Sequence, residues 1–283
     1  MILLYLGKVI RLIESLIKKY LRLVKWLFSR NNLYNNFNTI SFDKSMKQKT
    51  SDTVFIFGSG GSINDIKSHE WEEISKHNTI SLNWFMLQDF IKADFHVARR
   101  VLSYENDEGF HDKKTALMQI SEYFKKIEIN PLYKDTIIIL QWEAESTGAQ
   151  IAVNNNLINK NRKILPYKTN YNSISFDFNA GLSHQPSTLI DALNFACCGG
   201  WKNIVLVGVD LNNLNYFYLP SGVTTSFQTE RSPNEQLHST ANNGVVSVID
   251  NFNKLMTIKK MNLFVYSDKS MLAEKIPVYG QKK

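Results

Sequence analysis

The sequence predicts an α/β protein built on a mostly parallel, Rossmann-like sheet with helices on both faces. Three observations predict it. Short β-branched or aromatic runs alternate with segments of helical periodicity. The first such run passes straight into a glycine-rich turn. The glycines and polar residues with chemistry to offer cluster where these runs end. At 283 residues, with 43% apolar and 12% aromatic side chains, the chain can bury the core that such a sheet needs.

The N-terminal segment carries the charge. Lys8, Arg11, Lys18, Lys19, Arg22, Lys25 and Arg30 stand against Glu14 alone, 7 − 1 = +6 of the chain's +7. The basic balance is therefore local and does not point to nucleic acid. Leu3, Leu6, Ile10, Ile13, Ile17, Leu21, Val24 and Phe28 recur at steps of three and four, and the basic residues follow the same steps on the other face. The spacing predicts an amphipathic helix over residues 1–30. A transmembrane span needs about 20 mostly apolar residues, and here charges recur too often. A secretory signal places its positive charge before its apolar run, and Met1–Gly7 has none. A helix lying on an anionic membrane surface is the expectation, with the protein cytoplasmic and peripheral on the inner face. The alternatives are a helix packed on the protein's own core or in a homo-oligomer. Residues 31–51 are polar and Asn-rich and read as a linker, leaving a catalytic domain over 52–283.

The elements of that domain follow in order. Thr53–Phe57 is a strand. Gly58-Ser59-Gly60-Gly61-Ser62 follows it, and Ile63–Lys76 has a helical pattern, with Ser62 and Asp65 spaced as a capping box. Strand, glycine turn and helix N-terminus together present backbone N–H groups to an anion. No Gly-Lys-Ser/Thr follows, so this is not a Walker A loop, and Ile63 holds the third glycine position of a dinucleotide fingerprint. A tight turn without a ligand is the alternative. Further strands are read at Thr79–Leu82, Asp94–Ala98, Thr136–Leu140, Asn203–Val207 and Asn262–Tyr266, with helices at Pro186–Cys198 and Gly244–Lys259. Gly58–Ser62, Asn83, Arg99, Arg100 and Gly208–Asp210 all fall at carboxyl ends of strands, where ligands of parallel sheets bind. The adjacent Cys197 and Cys198 cannot form a disulfide framework and suit a reducing compartment.

FGSGGSIND after the first strand, SLNWF after the second, a small-residue helix ending in GGWKN, VLVGVDLNN, and a late LHSTANN followed by YSDKSMLAEKIP resemble the bacterial sialyltransferases of glycosyltransferase family 42. The order and spacing match over about residues 53–278. The family usually has Pro where Gly61 stands, and residues 100–185 carry no match. The resemblance implies a variant of the GT-A fold and metal-independent, inverting transfer of a 2-keto sugar acid, sialic acid-like or Kdo, from a CMP-sugar to a glycan or glycolipid hydroxyl, with no further cofactor. Gly58, Ser59, Gly60, Gly61 and Ser62 would hold the nucleotide phosphate and ribose region. Asn83 would contact the donor, and Ser187 and Thr188 the sugar carboxylate. Gly208 and Asp210 would meet cytidine and ribose. Tyr218 would hydrogen-bond the departing phosphate. Asn212 replaces a second phosphate tyrosine, for which Tyr216 is the candidate substitute. His238 would be the general base.

The chemistry agrees with these residue types. Tyrosine hydroxyls can donate to a leaving phosphate, and a neutral imidazole near pH 7 can take the acceptor's proton. His184, in another polar loop opening a helix, competes for that role. Asp210-Leu211-Asn212 is at most a degraded Asp-x-Asp motif, with a strand-end Asp bound to ribose or capping a turn as the simpler reading. Arg99 and Arg100 read as a solvated pair. Two alternatives remain: a metal-dependent pyrophosphokinase using Asp94, Asp210 and Asp268, or a catalytically inactive, membrane-tethered binding module.

Overall fold

Strands buried along most of their length organise the chain. The structure, a computed structural model, describes residues 2–99, 113–144, 146–171, 174–185, 187–212, 215–220 and 237–281. Five strands, β1 (Thr53–Phe57), β2 (Asn78–Leu82), β3 (Phe95–Ala98), β4 (Ile137–Gln141) and β5 (Ile164–Tyr167), precede a short pair, β6 (Thr169–Asn170) and β7 (Leu182–Ser183). Two more, β8 (Asn203–Val207) and β9 (Asn262–Val265), complete a seven-stranded sheet of order β5-β4-β3-β2-β1-β8-β9. Every pairing in it is parallel. The architecture is α/β and consistent with a Rossmann-like fold.

Alternation along β1 divides the core. Val54 and Ile56 join a cluster containing residues of α6 (Thr188–Cys198) and α8 (Val245–Ile258). Phe55 and Phe57 face the other way, with Ile74 of α3 (Ser68–Ile74). On that second side, Ile138, Leu140 and Ile164 pack with α4 (Lys113–Ile129) and α5 (Thr147–Asn154). Helices thus cover both faces, which is why the central strands read as unbroken apolar runs. The strands at Thr79–Leu82, Asp94–Ala98, Thr136–Leu140 and Asn262–Tyr266 are found within one residue at each end. The region 100–185, where sequence matching stops, supplies α4, α5 and β5.

The expected linker is part of the fold. Helix α1 runs Ile2–Asn36, eight residues past the last apolar position of the periodic pattern. Its last turns dock on α5, where Asn154 Nδ2 donates to Ser29 Oγ (2.8 Å) and Leu33 is fully buried. Phe37 and Ile40 are buried too, and Ile40 N–H donates to the Ile164 carbonyl (2.8 Å), covering the β5 edge of the sheet. A short helix α2 (Phe42–Met46), capped by Ser41, follows. Asparagine-rich composition conceals this, because three apolar residues among many amides, Leu33, Phe37 and Ile40, anchor the segment. Upstream, residues 8–23 of α1 are exposed on every face. No described helix is long and apolar enough to cross a membrane.

A buried histidine gives the core a pH dependence. His96 on β3 is fully buried, its Nδ1 2.8 Å from Ser81 Oγ and its Nε2 2.6 Å from the Tyr123 hydroxyl. Burial, helped by the charge of Arg162, lowers its pKa to about 3. Below an unfolded pKa of about 6.5 the unfolded chain takes up a proton that the native state refuses, so stability falls as the pH drops, by up to about 1.4 kcal/mol per unit. Urea unfolding should show this loss beginning near pH 6.5 in the wild type. It should be blunted in His96→Gln. Equal losses in the two proteins between pH 6.5 and 5 would rule out His96 as the source.

Candidate functional site

The strand order reverses between β1 and β8. From β1 the chain builds outward through β5, then returns to the other side of β1 at β8. A parallel sheet opens a crevice at such a reversal, beyond the carboxyl ends of its strands. The loops after β1 and β8 meet there. Gly58 N–H donates to the Val207 carbonyl and Gly60 N–H to the Gly208 carbonyl, both at 2.8 Å. The Asp210 carboxylate, 5% exposed, accepts from Ser62 N–H (2.9 Å) and from the Ser62 hydroxyl.

This geometry revises the role of the glycine turn. A Cβ on Gly60 would stand 2.6 Å from an Asp210 carboxylate oxygen, and one on Gly208, at φ +62°, would collide with the Ile63 side chain. The glycines let two protein loops touch, and three of the N–H groups expected to cradle an anion are taken by protein acceptors. Nor does a long helix start at Ile63. Gly61–Asp65 is a 3-10 turn, and α3 begins only at Ser68, where the Glu70 carboxylate accepts from Lys67 N–H (2.8 Å). Ser62 and Asp65 do not form the expected capping box, because Asp210 takes the Ser62 hydroxyl. The Ser59 hydroxyl, by contrast, is buried without a partner among the described residues.

The tyrosines and His238 gather on the β8 side. Phe217 N–H donates to the Ser59 carbonyl (3.1 Å), so this segment pairs with the glycine turn. Tyr216 and Tyr218 stack at 5.3 Å. Burial pushes the Tyr218 hydroxyl's pKa up, which keeps its proton in place. His238 N–H donates to the carbonyl of Leu211, a buried leucine held at φ +65°. Left-handed backbone is unfavourable for a branched side chain, and such strain concentrates at functional sites. His238 precedes α7 (Ser239–Asn242), and its Nδ1 accepts from Thr240 N–H (3.1 Å). The neutral ring therefore carries its proton on Nε2, 3.1 Å from the Tyr216 hydroxyl. Burial lowers the His238 pKa, opposed by the charge of Asp210. A neutral ring suits a base, yet its lone pair is held by a helix-capping N–H, so base action requires that contact to be released.

A cavity of about 400 Å³ opens at this point, within the usual size for small-ligand sites. Gly61, Ser62, Asp210, Asn212 and Tyr216 line it. So do Asn64, Asp65, Asn215 and Lys269, none of which sequence reasoning had assigned to the site. Asn212 Nδ2 donates to the Lys269 carbonyl (2.7 Å), tying the end of the β8 loop to the segment after β9. Three expected donor contacts lie elsewhere on the same end of the sheet. Asn83 is exposed after β2 at φ +52°. Ser187 caps α6 by accepting from Leu189 N–H (3.2 Å), and Thr188 is its first residue.

A second polar cluster departs from the expectation of a solvated arginine pair. Arg99 is not solvated: its side chain is 8% exposed and its Nε lies 3.3 Å from the fully buried Asp191. His184 Nδ1 donates to the other Asp191 oxygen (2.7 Å), the Tyr167 hydroxyl donates to Asp191 (2.9 Å), and Arg99 reaches His184 Nε2. With both nitrogens engaged, His184 is fixed in place and poorly suited to the base role. Burial pushes the Asp191 pKa up, against His184 and Arg99. Asp191 was the missed signal, an acid inside the apolar helix TLIDALNFACC that has to find partners. Arg100 lies outside the described residues.

Asp94 stands before β3 and accepts from Thr79 N–H (3.1 Å) at the opposite end of the sheet from Asp210, so the three carboxylates of the pyrophosphokinase alternative do not converge. Among the described residues no group of three or more His, Cys, Asp or Glu is arranged to hold a metal. Compared with known proteins, the chain matches no family model and no curated relative.

Because Asp210 holds Ser62 by two charge-assisted hydrogen bonds, Asp210→Ala should lower stability by about 3 kcal/mol and Ser62→Ala by about half of that. Urea unfolding measures both. If Asp210→Ala unfolds like the wild type, the carboxylate does not join the two loops.

Proposed function

We propose that the protein is an inverting glycosyltransferase that moves a 2-keto sugar acid from a CMP-activated donor to a glycan or glycolipid hydroxyl, on a variant of the GT-A arrangement. The observation that carries this reading is the cavity at the β1/β8 reversal, where Asp210, Asn212 and Tyr216 meet with His238 behind Tyr216. The family resemblance supports it from the sequence side. In this reading Asp210 and Asn212 face the nucleoside, and Tyr216 and Tyr218 donate hydroxyl protons to the departing phosphate. The acceptor oxygen bonds to the anomeric carbon as the bond to the CMP oxygen breaks, and the acceptor's proton passes to His238. The electron pair leaves with CMP, so phosphate-directed donors supply the main stabilisation.

The same reading places the protein on the inner face of a membrane through α1. Ile10, Ile13, Ile17, Leu21 and Phe28 are all at least half exposed, beside a cationic face. Lipid chains would cover the former and anionic headgroups the latter.

Hydrolysis of a panel of CMP-sugars tests the activity. Release of CMP from a sialic acid-like or Kdo donor is expected, and no CMP release or CMP binding from any donor would refute the reading. His238→Ala should reduce transfer by about two to four orders of magnitude. His238→Asn is the sharper probe, since asparagine keeps the helix cap but cannot act as base; near-normal transfer by His238→Asn would leave His238 a structural cap. With His238 as base, kcat/KM falls as the ring protonates, and its depressed pKa puts that acid limb below about pH 6.5.

Removing residues 1–22 spares Ser29 and Leu33 and should leave a folded domain that no longer binds anionic liposomes. Each basic residue near such a surface contributes about 1 kcal/mol, so binding by the full chain should weaken steeply with salt. A full-length protein that ignores phosphatidylserine liposomes at low salt would refute the membrane role.

A further inference from the structure

We propose that Lys269 is a phosphate-binding residue of the cavity, exchanging Asp65 for the phosphate when a nucleoside monophosphate group enters. The proposal rests on reading the cavity as a nucleotide site and names the positive charge which that reading needs.

Among the described residues the lining holds two carboxylates, Asp65 and Asp210, and a single cation, Lys269. Without a counter-charge such a lining repels a phosphate. The usual substitute, a row of backbone N–H groups, is weakened here because the donors of Gly58, Gly60 and Ser62 already have protein acceptors. The tyrosine hydroxyls bring donors without charge. An expelled phosphate is best stabilised by a cation or donor held ready beside it, and lysine is a common phosphate ligand of the point-charge kind.

The backbone that carries Lys269 is built into the site. Lys269 N–H donates to Ser267 Oγ (3.1 Å), and its carbonyl accepts from Asn212 (2.7 Å). The next two residues are fastened to the β8 loop: Ser270 Oγ donates to the Val209 carbonyl (2.5 Å) and Met271 N–H to the Asp210 carbonyl (2.9 Å). The root of the side chain is therefore fixed at the cavity while its tip is 67% exposed, paired with a 59% exposed Asp65 at 2.8 Å. Solvent-exposed pairs of this kind are weak, so a dianionic phosphate can displace Asp65. Asp65, with Asp268 and Asp210 adding to it, raises the Lys269 pKa, so the ammonium stays charged through the working range.

Calorimetric titration of CMP and of cytidine into the full-length protein separates phosphate recognition from nucleoside recognition. Lys269→Ala should weaken CMP binding about tenfold, leave cytidine within about twofold, and flatten the salt dependence of CMP affinity. Lys269→Arg should restore most of the loss. Asp65→Asn should bind CMP at least as tightly as the wild type, because the ammonium is released and one repelling charge is gone. Unchanged CMP affinity in Lys269→Ala, or equal weakening of CMP and cytidine, would overturn the proposal. UMP and AMP run in parallel keep the two readings apart. If the wild type binds one of them but not CMP, the CMP-sugar reading fails, and Lys269 is judged by that nucleotide against its nucleoside. If it binds none of the three, both fall.

Discussion

The short stretch Gly208–Leu211 is the point on which the carboxyl end of the sheet depends. Gly208 supplies a carbonyl to Gly60, Val209 one to Ser270, Asp210 one to Met271 and Leu211 one to His238. The Asp210 carboxylate then binds Ser62 through two donors. Segments distant in sequence, from 58–62, 238 and 269–271, are thus registered against four consecutive residues. Two of those four, Gly208 and Leu211, adopt left-handed backbone, the conformation that turns successive carbonyls in different directions. A flexible connection after β8 would leave the glycine turn, the imidazole and the lysine without a common frame.

Two carboxylates at this end of the sheet are handled differently. Asp191 is fully buried, and arginine, histidine and tyrosine surround it, so the whole cluster acts as a fixed unit between α6 and the ends of β3 and β5. Removing one partner from such a unit strands a buried charge. Asp210 is held from one side by Ser62 and meets the cavity on the other. Partner count and access to the cavity therefore separate a carboxylate enclosed by its partners from one that also lines a cavity, although both lie near strand ends.

Much of the sheet was readable in advance because parallel strands buried on both faces leave little ambiguity: TVFIF, TIIIL and NIVLV admit few other fates. The cavity was legible only in outline. Gly58–Ser62 and Gly208–Asp210 announced the crevice, but spacing alone does not tell a glycine that admits a ligand from one that admits another loop, and here Gly60 and Gly208 admit protein. Lys269 and Asp65 were invisible because they are ordinary surface charges until β9 brings one beside the other. Arg99 was misassigned for the converse reason: a strand-end arginine looks solvated until Asp191, 92 residues away, is brought against it. The linker reading failed on Leu33, Phe37 and Ile40, whose apolar contribution a tally of asparagines conceals.

Helix α1 has a mechanical consequence. Thirty-five residues at about 1.5 Å each make a rod of roughly 52 Å. No glycine or proline breaks it between Lys8 and Asn36. Its exposed part and the part seated on α5 are one continuous element without a hinge. Whatever holds the outer turns therefore fixes the orientation of the whole sheet as well as its location. Were the outer turns held, rotation of the domain would be restricted to what the rod and its seat on α5 permit, and the mouth of the β1/β8 crevice would keep a set height and bearing. A flexible tether of equal length would allow the same reach but leave the direction of approach undetermined.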